Sequence, residues 1–153
     1  MTSLTATRPS FWKNDYELAV DGRVVTRWNA KFWRAGGSFE LDGRTYEVRT
    51  NAWATRYEMT DQPTGVLMAT AERVGRKRWT ITADGRTYAF QRGSVWRLEQ
   101  LLILDGHPAG SIRRPYLRPG TAEADLPGLP PHVQIFAFLV VLSGWDQASA
   151  AAG

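Results

Sequence analysis

The chain has 153 residues, of which 43% are hydrophobic and 22% charged, which is typical of one globular domain with its own core. It contains no cysteine, which excludes disulfides, thiolate catalysis and zinc sites built on cysteine ligands. The formal net charge of +4 and the isoelectric point of about 9.8 favour acidic partners such as anionic lipid or nucleic acid.

The N-terminal residues contain no apolar segment behind a basic stretch, so we expect no secretory signal. We interpret residues 1–14 as an N-terminal extension that precedes a single domain over residues 15–147. A cytoplasmic protein, bound at most peripherally to a membrane, is the expectation.

The dipeptide Asp-Gly recurs four times between segments with strand character, and each occurrence predicts a two-residue hairpin turn with positive φ at both positions. These turns are Asp21-Gly22, Asp42-Gly43, Asp84-Gly85 and Asp105-Gly106. Further turns are expected at residues 61–65 and around Gly75. The segments between turns predict strands at residues 16–20, 23–28, 38–41, 44–49, 55–60, 66–73, 78–82, 86–91, 95–104 and 109–113.

The pentapeptide DGRTY occurs at residues 42–46 and again at residues 84–88, which suggests a duplicated hairpin unit. Each copy is followed by an arginine and a tryptophan, and a looser third copy begins at Asp21. Turn chemistry and strand propensity alone are the alternative explanation. The tryptophans are expected to fill the core.

After Arg114, repeated proline and glycine predict a crossing loop with little regular structure. Pro131 then begins an apolar segment, and residues 133–142 carry no charge and leave no polar helical face. We predict a helix over about residues 131–146, followed by a disordered tail over residues 148–153. A membrane span and a buried strand are the alternatives, although about fifteen helical residues are short for a hydrocarbon core of about 30 Å.

A helix that is apolar on every side must be buried, and the lumen of a barrel would bury it. The sequence therefore predicts a mainly β fold: a closed antiparallel β-barrel of about 10–12 strands with a C-terminal hydrophobic central helix. If the helix instead packed outside, the lumen could hold a small apolar ligand, as in lipocalin-like carriers.

This order of elements resembles the tubby C-terminal-like superfamily, which includes the LURP-one-related proteins and the phospholipid scramblases. The resemblance lies in residues 56–90, with their turn and second hairpin, and in residues 126–146, and it points to a small bacterial member. It implies a helix-filled barrel that binds rather than catalyses, with phospholipid headgroups as the ligand class. The palmitoylation and acidic calcium-binding segments of animal scramblases are absent from this sequence, which argues against scramblase activity.

Catalysis has little support in the sequence, since His107 and His132 are the only histidines and neither belongs to a recognisable triad. No phosphate-cradling glycine loop or metal-ligand cluster is present, so we expect no catalytic residue, cofactor or metal.

The best basic cluster comprises Arg73, Arg76, Lys77 and Arg78, which could converge on a phosphate around the Gly75 turn. A solvated hairpin tip is the alternative, and the preference for arginine also follows from a GC-rich genome. Two further basic groups comprise Arg113, Arg114 and Arg118, and Arg27, Lys31 and Arg34. The sequence favours a non-enzymatic membrane-surface or protein-interaction module recruited to anionic phospholipids, without nucleic-acid binding. A small apolar ligand carrier is the alternative.

Overall fold

The computed structural model describes residues 4–7, 15–29, 37–93, 98–115 and 121–152. It contains twelve strands and one helix. The elements are β1 (Leu4–Thr7), β2 (Asp15–Val20), β3 (Arg23–Asn29), β4 (Gly37–Leu41), β5 (Arg44–Thr50), β6 (Tyr57–Asp61), β7 (Leu67–Glu72), β8 (Arg78–Ala83), β9 (Arg86–Arg92), β10 (Glu99–Leu104), β11 (His107–Arg113), β12 (Thr121–Asp125) and α1 (Pro131–Ala152).

All twelve strands belong to one antiparallel sheet in the order β3-β2-β1-β12-β11-β10-β9-β8-β7-β6-β5-β4. Strands that are consecutive along the chain pair with each other, except for β3 and β4, and β1 pairs with β12. The first and last strands of this order, β3 and β4, lie beside each other, so the barrel is nearly closed. The predicted mainly β barrel with a C-terminal helix is therefore confirmed.

The four Asp-Gly turns form as predicted. The aspartates have φ between 50° and 53° and the glycines between 74° and 84°, as a type I′ turn requires at both positions. Each turn joins two neighbouring strands of the sheet with a short connection. Local turn chemistry thus sets the register of four of the hairpins.

The lumen of the barrel is filled by α1. Inward side chains alternate with outward ones along the strands, and the helix is buried from Val133 to Ser143. The helix approaches β7 most closely, where the inward residues are the small Ala69 and Ala71. A lipocalin-like carrier would need the helix outside the barrel, which is not the arrangement observed.

No helix in the described residues combines the length and apolar character needed to cross a bilayer.

The largest differences from the sequence-based expectation concern β1, β12 and the end of α1. Residues 4–7 of the expected N-terminal extension form β1, and residues 121–125 of the expected crossing loop form β12; these two strands pair with each other. The residues of β12 have weak strand propensity, but the backbone groups of both strands complete the barrel, and alternate residues such as Ala6 and Ala122 face inward. The helix also continues to Ala152, through most of the segment expected to be a disordered tail.

Candidate functional site

The strand order decides which connections share an end of the barrel. Because consecutive strands are antiparallel neighbours, alternate connections lie at opposite ends. One end, the Asp-Gly end, carries residues 21–22, 42–43, 62–66, 84–85 and 105–106 and the start of α1. The other end, the basic end, carries among the described connections residues 51–56, 73–77, 98 and 114–115.

The four residues of the predicted headgroup cluster lie together at the basic end. Arg73, Arg76, Lys77 and Arg78 occupy residues 73–78, the cationic turn between β7 and β8, and all four side chains are exposed. In the described part of the chain, no carboxylate lies within ion-pair distance of any of them. Their charge is therefore open to an anionic ligand.

The cationic turn has a defined backbone. Arg73 adopts a left-handed φ of 60° and Gly75 a φ of 93°, and the Arg76 N–H donates a hydrogen bond to the Arg73 carbonyl at 3.2 Å. Val74 between them is buried while its neighbours are exposed. One apolar side chain thus anchors the turn to the core and leaves the cations in solvent.

Neighbouring segments hold the cationic turn on both sides. The Val74 N–H donates to the Thr55 carbonyl at 3.0 Å, and the Arg92 N–H donates to the Lys77 carbonyl at 2.8 Å. The Arg92 guanidinium also donates to the Gly75 carbonyl at 3.2 Å. These bonds restrict the backbone of the turn, so little backbone entropy would be lost if a ligand ordered it.

The other predicted basic groups make internal contacts. Arg113 lies 3.4 Å from Glu123, and Arg27 lies 3.5 Å from Glu17. The Arg114 guanidinium stacks over the Trp145 ring at 5.4 Å, which ties the barrel wall to α1. Arg118, Lys31 and Arg34 lie outside the described residues.

The most perturbed ionisable group, His132, lies at the Asp-Gly end. Its ring stacks on Tyr46 at 5.4 Å, and Tyr46 stacks on Phe39 at 5.2 Å. Burial lowers the pKa of His132; Asp84 raises it and Arg44 lowers it to smaller extents. His107 is exposed beside its hairpin turn. The His132 ring thus packs against the barrel wall at the helix entrance.

Three of the described carboxylates serve a turn and surface ion pairs. Asp61, which is buried, accepts a 2.6 Å hydrogen bond from the Thr64 hydroxyl and so closes the turn between β6 and β7. Glu58 and Glu72 both pair with Arg56 at the surface. Among the described residues, no three His, Asp or Glu side chains come together as a metal site would require.

Trp53 is the residue that sequence reasoning missed. Tryptophans were expected in the core, and Trp79 and Trp145 are indeed buried, but the Trp53 side chain is 83% exposed at the basic end. The signal was local: Trp53 follows Asn51 in a segment without strand alternation, whereas Trp79 alternates with polar residues. Trp33 and Trp96, the other tryptophans that follow the repeated hairpins, lie outside the described residues.

The geometry of this chain is the basis for any functional proposal. Comparisons with protein-family models, with curated proteins and with solved structures gave no match.

Proposed function

We propose that this protein is a non-enzymatic membrane-surface module that binds anionic phospholipid headgroups with its basic end. The observation that carries the proposal is the cationic turn, in which Arg73, Arg76, Lys77 and Arg78 are exposed, close in sequence and without a described carboxylate partner. The protein would be cytoplasmic and peripherally attached.

Phosphate esters are the ligands that such a turn suits best. Guanidinium groups donate paired hydrogen bonds to phosphate oxygens, and Lys77 adds a compact positive charge. Each basic residue near an anionic membrane contributes about 1 kcal/mol of attraction, so several acting together give measurable binding. The attraction decreases as salt rises because exposed charges are screened.

The resemblance to tubby-like barrels supports the same proposal. A twelve-stranded barrel filled by a C-terminal helix is the arrangement that this resemblance implies, and headgroup binding on the outside is compatible with a filled lumen. Membership of that superfamily remains part of the proposal, as does the absence of an enzymatic activity.

Liposome sedimentation tests the proposal with charge-matched variants. Replacing Arg76, Lys77 and Arg78 together by alanine should weaken binding to phosphatidylserine-containing vesicles on the order of 100-fold, at about 1 kcal/mol per charge. The matched control replaces Arg23, Arg44 and Arg86, which are also exposed but lie beside the turns of the Asp-Gly end. It removes the same charge and should leave binding nearly unchanged.

Two results would contradict the proposal. The wild-type protein could bind anionic and neutral vesicles equally poorly at low salt, which would remove the lipid ligand. Alternatively, both triple variants could lose the same affinity, which would show that net charge rather than the cationic turn attracts the protein.

A further inference from the structure

Trp53 is the most exposed large apolar side chain in the described part of the chain. It lies at the tip of residues 51–56, the connection between β5 and β6, which we call the Trp53 loop. Leaving a tryptophan in water forgoes the favourable free energy of burying one of the largest apolar side chains. The other tryptophans with described side-chain exposure, Trp79 and Trp145, are buried, so Trp53 stands apart.

The Trp53 loop holds this side chain outward by a dense set of hydrogen bonds. The Asn51 side-chain oxygen accepts from the N–H groups of Thr55 at 2.9 Å and Arg56 at 3.1 Å, while its NH₂ group donates to the Thr55 hydroxyl at 2.9 Å. The Ala54 N–H donates to the Asn51 carbonyl at 3.1 Å. The exposure of Trp53 therefore belongs to an ordered loop.

The backbone of the loop is also strained. Ala54 has a left-handed φ of 56°, a conformation that costs an ordinary L-residue free energy. Among the described residues, the non-glycine positions with positive φ are the aspartates of the Asp-Gly turns, Ala54 and Arg73. Asp tolerates this region, whereas Ala and Arg do not favour it. Strain of this kind, outside ordinary turn chemistry, is typical of functional loops.

The Trp53 loop lies directly beside the cationic turn. The Thr55 carbonyl accepts the Val74 N–H at 3.0 Å, so the two segments are hydrogen-bonded neighbours at the basic end. Leu98, another exposed apolar residue, lies beyond the other side of the turn, where its carbonyl accepts the Arg114 N–H at 3.0 Å. Apolar side chains thus lie on both sides of cations that have no carboxylate partner among the described residues.

We infer that Trp53 inserts into the interfacial region of an anionic bilayer and anchors the barrel with its basic end against the membrane. The indole ring favours the headgroup level of a bilayer, where its apolar face and its N–H are both accommodated. The cations would contact headgroup phosphates while Trp53 enters between the lipids, as on other interfacial surfaces. This inference rests on the proposed function, since it requires that the basic end binds the membrane.

Site-directed labelling tests the inference, because the chain has no native cysteine. A thiol-reactive, polarity-sensitive dye is attached at Ala52→Cys, an exposed position that leaves Trp53 in place, and separately at Gln62→Cys, exposed at the Asp-Gly end. With vesicles of phosphatidylcholine and phosphatidylserine, the dye at position 52 should shift to the blue and be quenched by spin-labelled lipid. The dye at position 62 should remain in water.

A second measurement separates anchoring from electrostatic attraction. Trp53→Ala should weaken binding to the same vesicles about tenfold, through lost apolar contact, without changing how steeply affinity falls with salt. Loss of the cationic turn should instead flatten that salt dependence. Because the Trp53 side chain is exposed, the thermal unfolding midpoint of the Trp53→Ala variant should equal that of the wild type.

Several outcomes would overturn the inference. If the protein binds anionic vesicles but the dye at position 52 stays in water, Trp53 is not an anchor, although headgroup binding stands. If the dye at position 62 responds instead, the Asp-Gly end with its exposed Val66 and Leu67 enters the membrane. If vesicles produce no response but a single-stranded oligonucleotide does, the loop stacks on bases. If the wild type does not bind anionic vesicles, both proposals are wrong.

Discussion

Two residues at the basic end adopt backbone conformations that their side chains do not favour. Arg73 and Ala54 have φ values of 60° and 56°, and they lie in hydrogen-bonded neighbouring segments. At the Asp-Gly end the same region of φ is occupied by aspartate and glycine, which tolerate it. The basic end thus gives up some stability at positions where a glycine would fit.

Replacing Arg73 by glycine should separate stability from binding. Glycine adopts positive φ freely, so Arg73→Gly should stabilise the protein by roughly 0.5 to 1 kcal/mol after its larger unfolded-state entropy is included. The same change removes one exposed cation and should weaken binding to anionic vesicles about fivefold. Urea unfolding and vesicle sedimentation measure the two effects. An unchanged affinity would show that Arg73 does not contact the membrane.

His132 should make stability depend on pH. Its pKa in the folded protein is below the ordinary 6.5, chiefly because of burial, so the unfolded chain binds more protons in this range. Stability should therefore be full above pH 6.5, fall as the pH decreases through 6.5, and level off below the folded-state pKa. Urea midpoints between pH 8 and pH 5 measure this. His132→Gln should remove this decrease in stability at low pH. His107→Gln, at an exposed position, should still show the decrease.

At the scale of elements, α1 is the core around which the strands are arranged. Its residues 133–143 are buried without a polar face, and the inward residues of β7 and β12 are alanines that leave room for larger helical side chains. Because small residues of the barrel wall face large residues of the helix, the lumen is filled. The helix is therefore required for the barrel to bury its inner surface.

Truncating one aromatic side chain of α1 should show that the stability of the barrel depends on the helix. Phe138 is fully buried, so Phe138→Ala should cost about 3 to 5 kcal/mol in the free energy of unfolding. The control, Val66→Ala at a half-exposed position, should change it by less than about 0.5 kcal/mol. Urea midpoints at constant m-value measure both. Similar effects from the two changes would place the helix outside the core.

The elements that sequence reasoning identified are those with strong local signals. The four Asp-Gly turns and the uncharged segment after Pro131 needed no tertiary information, and together they predicted both the strands and the helix. In contrast, β1 and β12 are strands because each supplies the pairing partner that the other needs, a non-local cause that weak propensity in Thr121–Asp125 conceals. The cationic residues could be named from sequence, but the sequence could not show that no described carboxylate pairs with them.

For the whole molecule, sequential strand order places two groups of charged turns at opposite ends of the barrel. The hairpin aspartates collect at one end, where Arg23, Arg44 and Arg86 lie beside three of them, whereas the cationic turn lies at the other end. Strands of six or seven residues place the two ends about 20 Å apart. This exceeds the screening length of about 8 Å at physiological salt, so each end presents its own charge to a ligand.

This separation predicts that the position of a charge matters more than the net charge. Replacing Asp21, Asp42 and Asp105 by asparagine raises the formal net charge of +4 by three, and Asn-Gly suits the same turns. At 0.15 M salt this variant should bind anionic vesicles within about twofold of the wild type, because the changed charges lie more than two screening lengths from the membrane. At 0.01 M salt, where screening extends to about 30 Å, its affinity should rise above that of the wild type. Vesicle sedimentation at the two salt concentrations measures both effects. A large gain already at 0.15 M would mean that the Asp-Gly end also approaches the membrane, and the end-on orientation would then be wrong.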